Sequence, residues 1–220
     1  MARRGWLAGQ PEHFTAELLA RSRPRQFRRG DLVYRDGEMA GGVFGIVSGG
    51  IGIVSARPGR APVLAHIERA GAWFGEAPQV VGSARTVSFR ATETSNLVFV
   101  PASALDEIAR GDAQARLRFG ELSRWMLEQT AAAVGDLLIP HAERRIAATL
   151  LRVTAAAEGV IPDDPQGFVV TQTELGEMAN VSRHHVNRTL TRFRRQGWVD
   201  SRYNRLRLVD LGALEAMAAG

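Results

Sequence analysis

Cysteine is absent from all 220 residues, which excludes disulfides, thiol nucleophiles, Cys-ligated zinc and any iron–sulfur cluster held by this chain. Lysine is absent too. All twenty-eight basic residues are arginine, so the sequence pI of 10.9 is inflated by groups that do not titrate. Histidines are few and scattered, at positions 13, 66, 141, 184 and 185. The one adjacent pair, His184 and His185, would point about 100° apart on a helix, which argues against a shared metal. No run approaches the roughly eighteen apolar residues that a membrane span needs. Met1 to Phe14 carries Arg3 and Arg4 with no apolar run behind them, unlike a signal peptide. The cytoplasm is therefore the expected compartment, with no membrane partner.

A length of 220 residues suits two domains, and 45% apolar with 23% charged residues is the balance of a globular chain. Charge is unevenly spread. From Arg183 to Arg207 there are eight arginines and one acid, Asp200, a local net charge of +7 in twenty-five residues. Solvated faces usually mix signs, so a run of one sign reads as an anion-binding face, with nucleic acid the expected anion.

Between residues 26 and 100 the chain reads as short strands: Leu32 to Tyr34, Val43 to Val47, Ile51 to Val54, Val63 to Ile67, Thr86 to Ala91 and Leu97 to Val100. Glycines punctuate them, as in a sandwich or barrel-like roll. After Pro101 the pattern becomes helical, first Ala102 to Arg110 and then a long stretch from about Asp112 to Ile139. In it Gly120, Ser123, Leu127, Thr130, Val134 and Leu137 recur by threes and fours, the seam of a coiled coil. Phe119, Leu122 and Met126 form a second stripe suited to packing on the roll. Burial inside one domain would give a single apolar face, and two such faces favour a shared dimer interface through Leu127, Thr130, Val134 and Leu137. Pro140 stops the helix and marks a hinge. Glu143 to Ala157 is a further amphipathic helix, and Gly159 to Gly167 a turn or exposed loop. The expected domains are residues 1–110, a linking helix over 111–139, and residues 140–220.

Thr171-Gln172-Thr173-Glu174 has the form of a capping box opening a short helix that runs to about Ala179. Asn180 follows where a tight turn needs a left-handed residue, and Ser182 caps a second helix. Val186, Leu190 and Phe193 fall on its buried side, leaving Arg183, His184, Asn187 and Arg188 towards the other. This is the layout of a helix-turn-helix, in which the first turns of the second helix enter the major groove. Arg suits guanine, Asn suits adenine, His can donate or accept, Ser182 and the helix N-terminus suit a phosphate, and Thr171 is counted with them among the expected DNA-binding residues. Trp198 to Ser201 and Leu206 to Leu208 read as two strands flanking Arg202 to Arg205, a basic wing with Arg205 near its tip.

With these residues in place the chain resembles the CRP/FNR family of bacterial regulators over nearly its whole length. The carrying features are the glycine-spaced roll, Phe74-Gly75-Glu76 followed nine residues later by Arg85-Thr86, the long helix, and Ser182 to Arg188. The resemblance implies an α+β fold: an N-terminal antiparallel β-roll (a double-stranded β-helix) of cyclic-nucleotide-binding type, a dimerisation helix and a C-terminal winged helix-turn-helix. It further implies a homodimer on a palindromic operator of double-stranded DNA, contact with RNA polymerase, no cofactor, and cAMP or cGMP as effector. By resemblance Glu76 would accept the ribose hydroxyl, Arg85 would neutralise the cyclic phosphate beside Gly75 and Thr86, and Thr130 would reach the purine. Pro78 and Ala131 depart from the pattern: the first lacks an amide N–H, the second a hydroxyl. They leave open an altered or empty pocket, with another effector or none. His184 and His185 stand where each branch of the family places a glutamate, so the operator should differ from both.

Two other function classes compete. A nucleotide-binding module acting on a protein partner would not need an arginine-rich reading helix. An enzyme would need a nucleophile paired with a base, and no such pair is visible.

Overall fold

The computed structural model describes residues 5–39, 41–56, 59–154, 167–202 and 204–220. Arg3 and Arg4, the end of the expected helix from Ala155 to Ala157, and the loop expected over Gly159 to Gly167, apart from Gly167 itself, lie outside them. The chain forms two compact units, Met1–Pro62 with Glu68–Thr130 and Val63–Ile67 with Ala131–Gly220.

The first unit is an antiparallel β-roll bracketed by helices. In chain order, helix α1 (Glu12–Ala20) precedes β1 (Arg23–Phe27), β2 (Leu32–Tyr34), β3 (Gly42–Ser48), β4 (Gly50–Ser55), β5 (Val63–Arg69), whose Val63–Ile67 fall to the second unit, and β6 (Trp73–Phe74). A short α2 (Ala77–Val81) leads to β7 (Ser88–Ala91) and β8 (Ser95–Pro101), then α3 (Ala102–Gly111). One sheet has the order β1-β8-β3-β6, and in a second β7 lies between β2 and β4. Two strands carry no sequence signal. β1 is Arg-Pro-Arg-Gln-Phe, which looks like a loop, but it is an edge strand, where proline's missing donor is tolerated. β6 has only two residues, too few to show a period.

Helix α4 (Ala115–Leu138) begins three residues later than expected. The Asp112 carboxylate accepts the Gln114 amide at 2.8 Å, forming a side-chain turn that delays the helix. The stripe on α4 packs as its spacing predicts: Phe119 and Leu122 are buried with Trp6, Phe14, Leu18, Trp73, Leu105 and Ile108, and Met126 packs against the same cluster. Trp6 donates its indole N–H to the Arg118 carbonyl at 2.9 Å, fastening the N-terminal segment to α4.

The second unit holds α5 (Ala142–Val153), β9 (Phe168–Val169), α6 (Gln172–Ala179), α7 (Arg183–Arg195), β10 (Val199–Arg202), β11 (Arg205–Leu208) and α8 (Leu211–Ala219). Ile146, Leu150, Leu175, Met178, Val186, Phe193, Val199, Leu206 and Leu214 are buried in it. The sheet order is β10-β11-β9, and the β10–β11 hairpin is the wing. Helix α8, capped by Asp210 through the Ala213 amide, is an addition to the sequence reading and packs along α5.

Candidate functional site

The helix-turn-helix follows from local chemistry. Thr171 Oγ1 accepts the Glu174 amide at 3.1 Å, and the Glu174 carboxylate accepts the Thr171 amide at 2.8 Å, completing the capping box. The Thr171 hydroxyl also donates to that carboxylate at 2.9 Å. Asn180 sits at φ 50°, ψ 54°, the left-handed geometry the turn requires. A Cβ on Gly176 would lie 2.8 Å from the Val181 carbonyl, so the close approach of the turn to α6 needs glycine there. Ser182 Oγ accepts the His185 amide at 3.2 Å and starts α7. Val186, Thr189, Leu190 and Phe193 face the core, while Arg183, His184, Asn187 and Arg188 are exposed.

Not every expected contact residue has a free polar group. The amide of Asn187 bonds Gln172 at 3.3 Å, bridging α6 and α7. Arg205 is half-buried, and its guanidinium donates to the Gly167 carbonyl at 2.8 Å, holding β11 to the chain before β9. Arg202, its partner across the hairpin, is the more exposed wing cation. Arg145, which the sequence does not single out, donates to the Ile139 and Pro140 carbonyls at the hinge (2.7 and 3.2 Å) and to the Ala179 carbonyl at the end of α6 (3.0 Å). An arginine inside an amphipathic helix gives no sequence signal of such a role.

In the roll, Gly75, Glu76 and Arg85 come together. Gly75 has φ 99°, and a Cβ there would stand 2.8 Å from Arg85 Nη1 and 2.9 Å from the Gly42 carbonyl, so only glycine admits the guanidinium. Arg85 is buried. It donates to the Gly75 carbonyl at 3.4 Å and the Gly42 carbonyl at 3.2 Å, and its guanidinium carbon lies 3.6 Å from the Tyr34 ring centroid. Burial pushes the Tyr34 phenol well above its usual range, opposed in part by the Arg85 charge. Tyr34 in turn packs against Phe89, Phe74 and Phe44, with centroids 5.0 to 6.1 Å away. Glu76 accepts a hydrogen bond from Ser123 Oγ at 3.0 Å. Ser123 is expected on the coiled-coil seam, yet its hydroxyl is used on the roll. Thr86 is exposed ahead of β7, and Thr130 is exposed on α4 with its hydroxyl bonded to the Met126 carbonyl at 2.9 Å. Tyr34 and Ser123 escape a sequence reading because one looks like an ordinary strand residue and the other like part of a helix repeat.

Along α4 the remaining seam residues are open: Leu127 is 67% exposed, Val134 52% and Leu137 43%. Among the described residues no group of three His, Asp or Glu side chains could hold a metal ion, and no helix is long and apolar enough to cross a membrane.

Two family models match this arrangement: a cyclic nucleotide-binding domain over residues 24–112 and a Crp-like helix-turn-helix domain over residues 144–217. The cAMP-activated global transcriptional regulator Vfr of Pseudomonas aeruginosa is 24% identical over 188 residues, 83% of this chain and 87% of that protein. The transcriptional activator protein anr of the same organism is 23% identical over 206 residues, 93% of this chain and 83% of that protein. A CRP-family transcriptional regulator from Thermus thermophilus superposes with a TM-score of 0.68 at 25% identity, covering 89% of this chain and 97% of that one. FixK2 from Bradyrhizobium japonicum shares the fold, with a TM-score of 0.75 at 17% identity over 90% of this chain and 98% of its own. These matches point to a regulator of transcription and not to an enzyme. An α+β chain with an effector-type β-roll and a winged helix-turn-helix, it belongs to the CRP/FNR family of transcription regulators.

Proposed function

We propose that the protein is a cytoplasmic homodimer that binds an inverted-repeat operator through α7 and the wing, contacts RNA polymerase, and responds to a cyclic nucleotide held by the roll. The observation that carries the DNA reading is α7 itself. Its buried side is fixed by Val186, Leu190 and Phe193, which leaves Arg183, His184, Asn187 and Arg188 as an exposed basic set in its first turns. Guanidinium forks on guanine would specify, with Asn187 released from Gln172 to reach a base and Arg202 reaching a phosphate beside the groove. The domains of the reading are residues 1–110, the helix over 111–139 and residues 140–220. Pairing of two copies along Leu127, Thr130, Val134 and Leu137 would set the half-sites about one helical turn, roughly 34 Å, apart. Selection from a random duplex library tests this, and recovery of no enriched palindrome, with or without cyclic nucleotide, overturns it.

For the effector, Arg85 is the natural counter-charge of a cyclic phosphate, with Gly75, Glu76, Thr86 and Thr130 as its companions. The cAMP-activated relative supports this assignment. A second reading is favoured by the Arg85 guanidinium itself, which is already engaged with two carbonyls and the face of Tyr34. In that reading the pocket is altered and takes a non-nucleotide effector or none. Calorimetry with cAMP and with cGMP separates the two: heat that is abolished by Arg85→Ala supports the first, and no heat with either nucleotide supports the second.

A further inference from the structure

Helix α4 carries two hydroxyl residues, and each has a single O–H to donate. Thr130 bonds back to the Met126 carbonyl of its own helix at 2.9 Å, the local choice open to any helical serine or threonine. Ser123 instead donates off the helix, to Glu76 Oε1 at 3.0 Å. The turn of α4 that carries it is seated on the roll: Leu122 is buried, and Trp125 and Met126 pack against two apolar clusters there. Ser123 is therefore a donor held in a fixed place.

The backbone of Glu76 is fixed on both sides. Just before it, the Gly75 carbonyl accepts from the Arg85 guanidinium at 3.4 Å. Its own carbonyl accepts the Gln79 and Val80 amides at 2.9 and 3.1 Å. The carboxylate makes no capping bond to α2, so what remains free in Glu76 is the rotation of its side chain. Ser123 sets that rotation from α4. A carboxylate accepts up to about four hydrogen bonds, so this one is pinned at one oxygen and still has acceptor positions for a ligand.

The two groups define the ligand chemistry. Arg85 calls for an anion, and the Glu76 carboxylate calls for a neutral donor, so the ligand carries a hydroxyl beside its anionic group. In a cyclic nucleotide that hydroxyl is the ribose 2′-OH, next to the cyclic phosphate. We propose that Ser123 is a positioning residue: it orients the Glu76 carboxylate to accept the ligand hydroxyl, and so sets the discrimination between ribose and 2′-deoxyribose. The proposal rests on the reading of the roll as a cyclic-nucleotide site and adds to it a residue that acts through Glu76. Wild type should bind the ribonucleotide about tenfold to a hundredfold more tightly than its 2′-deoxy analogue, the range for one hydrogen bond to a charged acceptor. In Ser123→Ala the carboxylate loses its donor and regains torsional freedom, so a ligand hydroxyl must order it on binding. The ribonucleotide then weakens, the 2′-deoxy analogue does not, and the ratio falls towards unity.

The test is calorimetry of the full-length protein with cAMP, cGMP and the 2′-deoxy analogue of each. Wild type, Ser123→Ala, Ser123→Thr and Glu76→Ala are compared. The expected result is a ratio lost in Ser123→Ala and Glu76→Ala and kept in Ser123→Thr, which restores the hydroxyl. A merely structural Ser123 would weaken both forms by the same factor, and an unchanged ratio in Ser123→Ala overturns the proposal while leaving nucleotide binding intact. A ratio lost equally in Ser123→Thr does the same. So does a wild type that binds the two forms equally, an outcome that depends on no variant folding. Heat with neither nucleotide in wild type overturns the cyclic-nucleotide reading, and this proposal with it.

Discussion

Replacing Leu127 and Val134 together by glutamate tests the dimer at its most exposed point. In the single chain Leu127 is 67% exposed and Val134 52%, so neither supports the protomer's own core. Fully burying a leucine or valine side chain stabilises by about 1.5–3 kcal/mol, so the exposed parts are worth roughly 1–2 kcal/mol for Leu127 and ~0.8–1.5 kcal/mol for Val134. A two-fold interface counts each twice, giving about 4–7 kcal/mol from these two positions. At 1.4 kcal/mol per tenfold, the double variant should weaken the dimer by about a thousandfold to a hundred-thousandfold, before any repulsion between four carboxylates near the axis. Sedimentation equilibrium at micromolar concentration should find wild-type dimers and variant monomers, with thermal unfolding of the variant monomer showing an intact fold. A variant that still sediments as a dimer would refute the reasoning and move the interface away from α4.

Arg183→Ala should lose on the order of 1–3 kcal/mol of operator affinity and relax preference at one guanine per half-site, read by repeating the library selection. Arg202→Ala should weaken all duplexes alike and flatten the salt dependence, read by titration at several salt concentrations. Thr171→Ala removes one half of the capping box and should cost about 1 kcal/mol of stability, seen as a lowered midpoint in urea. Asp112 has its pKa lowered by the Gln114 amide bond and, less strongly, by Arg118 and His13. Its stabilising contribution is therefore present above the ordinary carboxylate range and lost as pH falls through the lowered value, so Asp112→Asn should shallow the acid limb of the stability curve measured by circular dichroism.

How much of the fold is legible in the sequence depends on whether its signals are local. Thr171 with Glu174, Asn180 and Ser182 each act within four residues, and all four can be read from the residue order alone. The stripe Phe119, Leu122, Met126 is legible for the same reason, since helical period is written along the chain. β1 is not. Its Arg-Pro-Arg start contradicts strand propensity, and only pairing of Arg23 to Phe27 with Phe99 to Ser95 makes it a strand. Helix α8 stays hidden because its near-uniform run of small apolar residues shows no period until α5 covers one side.

The candidate sites divide along the same line, and Arg205 and Arg85 show why. Sequence gives an arginine's charge but not what its five donors already hold. Arg205 reads as a free cation at a wing tip, yet its bond to Gly167 makes it a brace between β11 and the segment before β9. Removing it should therefore disturb the wing's shape as well as its charge, which is why Arg202 is the cleaner probe of phosphate contact. Arg85 reads as a phosphate receptor, yet the Gly75 and Gly42 carbonyls and the Tyr34 face already surround it. An incoming anion gains full Coulomb attraction only by drawing the guanidinium off partners that it satisfies well. Tyr34→Leu, which keeps an apolar side chain but removes the ring face, should then tighten any anionic effector that Arg85 binds. If calorimetry finds affinity unchanged in Tyr34→Leu, the ring is not what holds the guanidinium back.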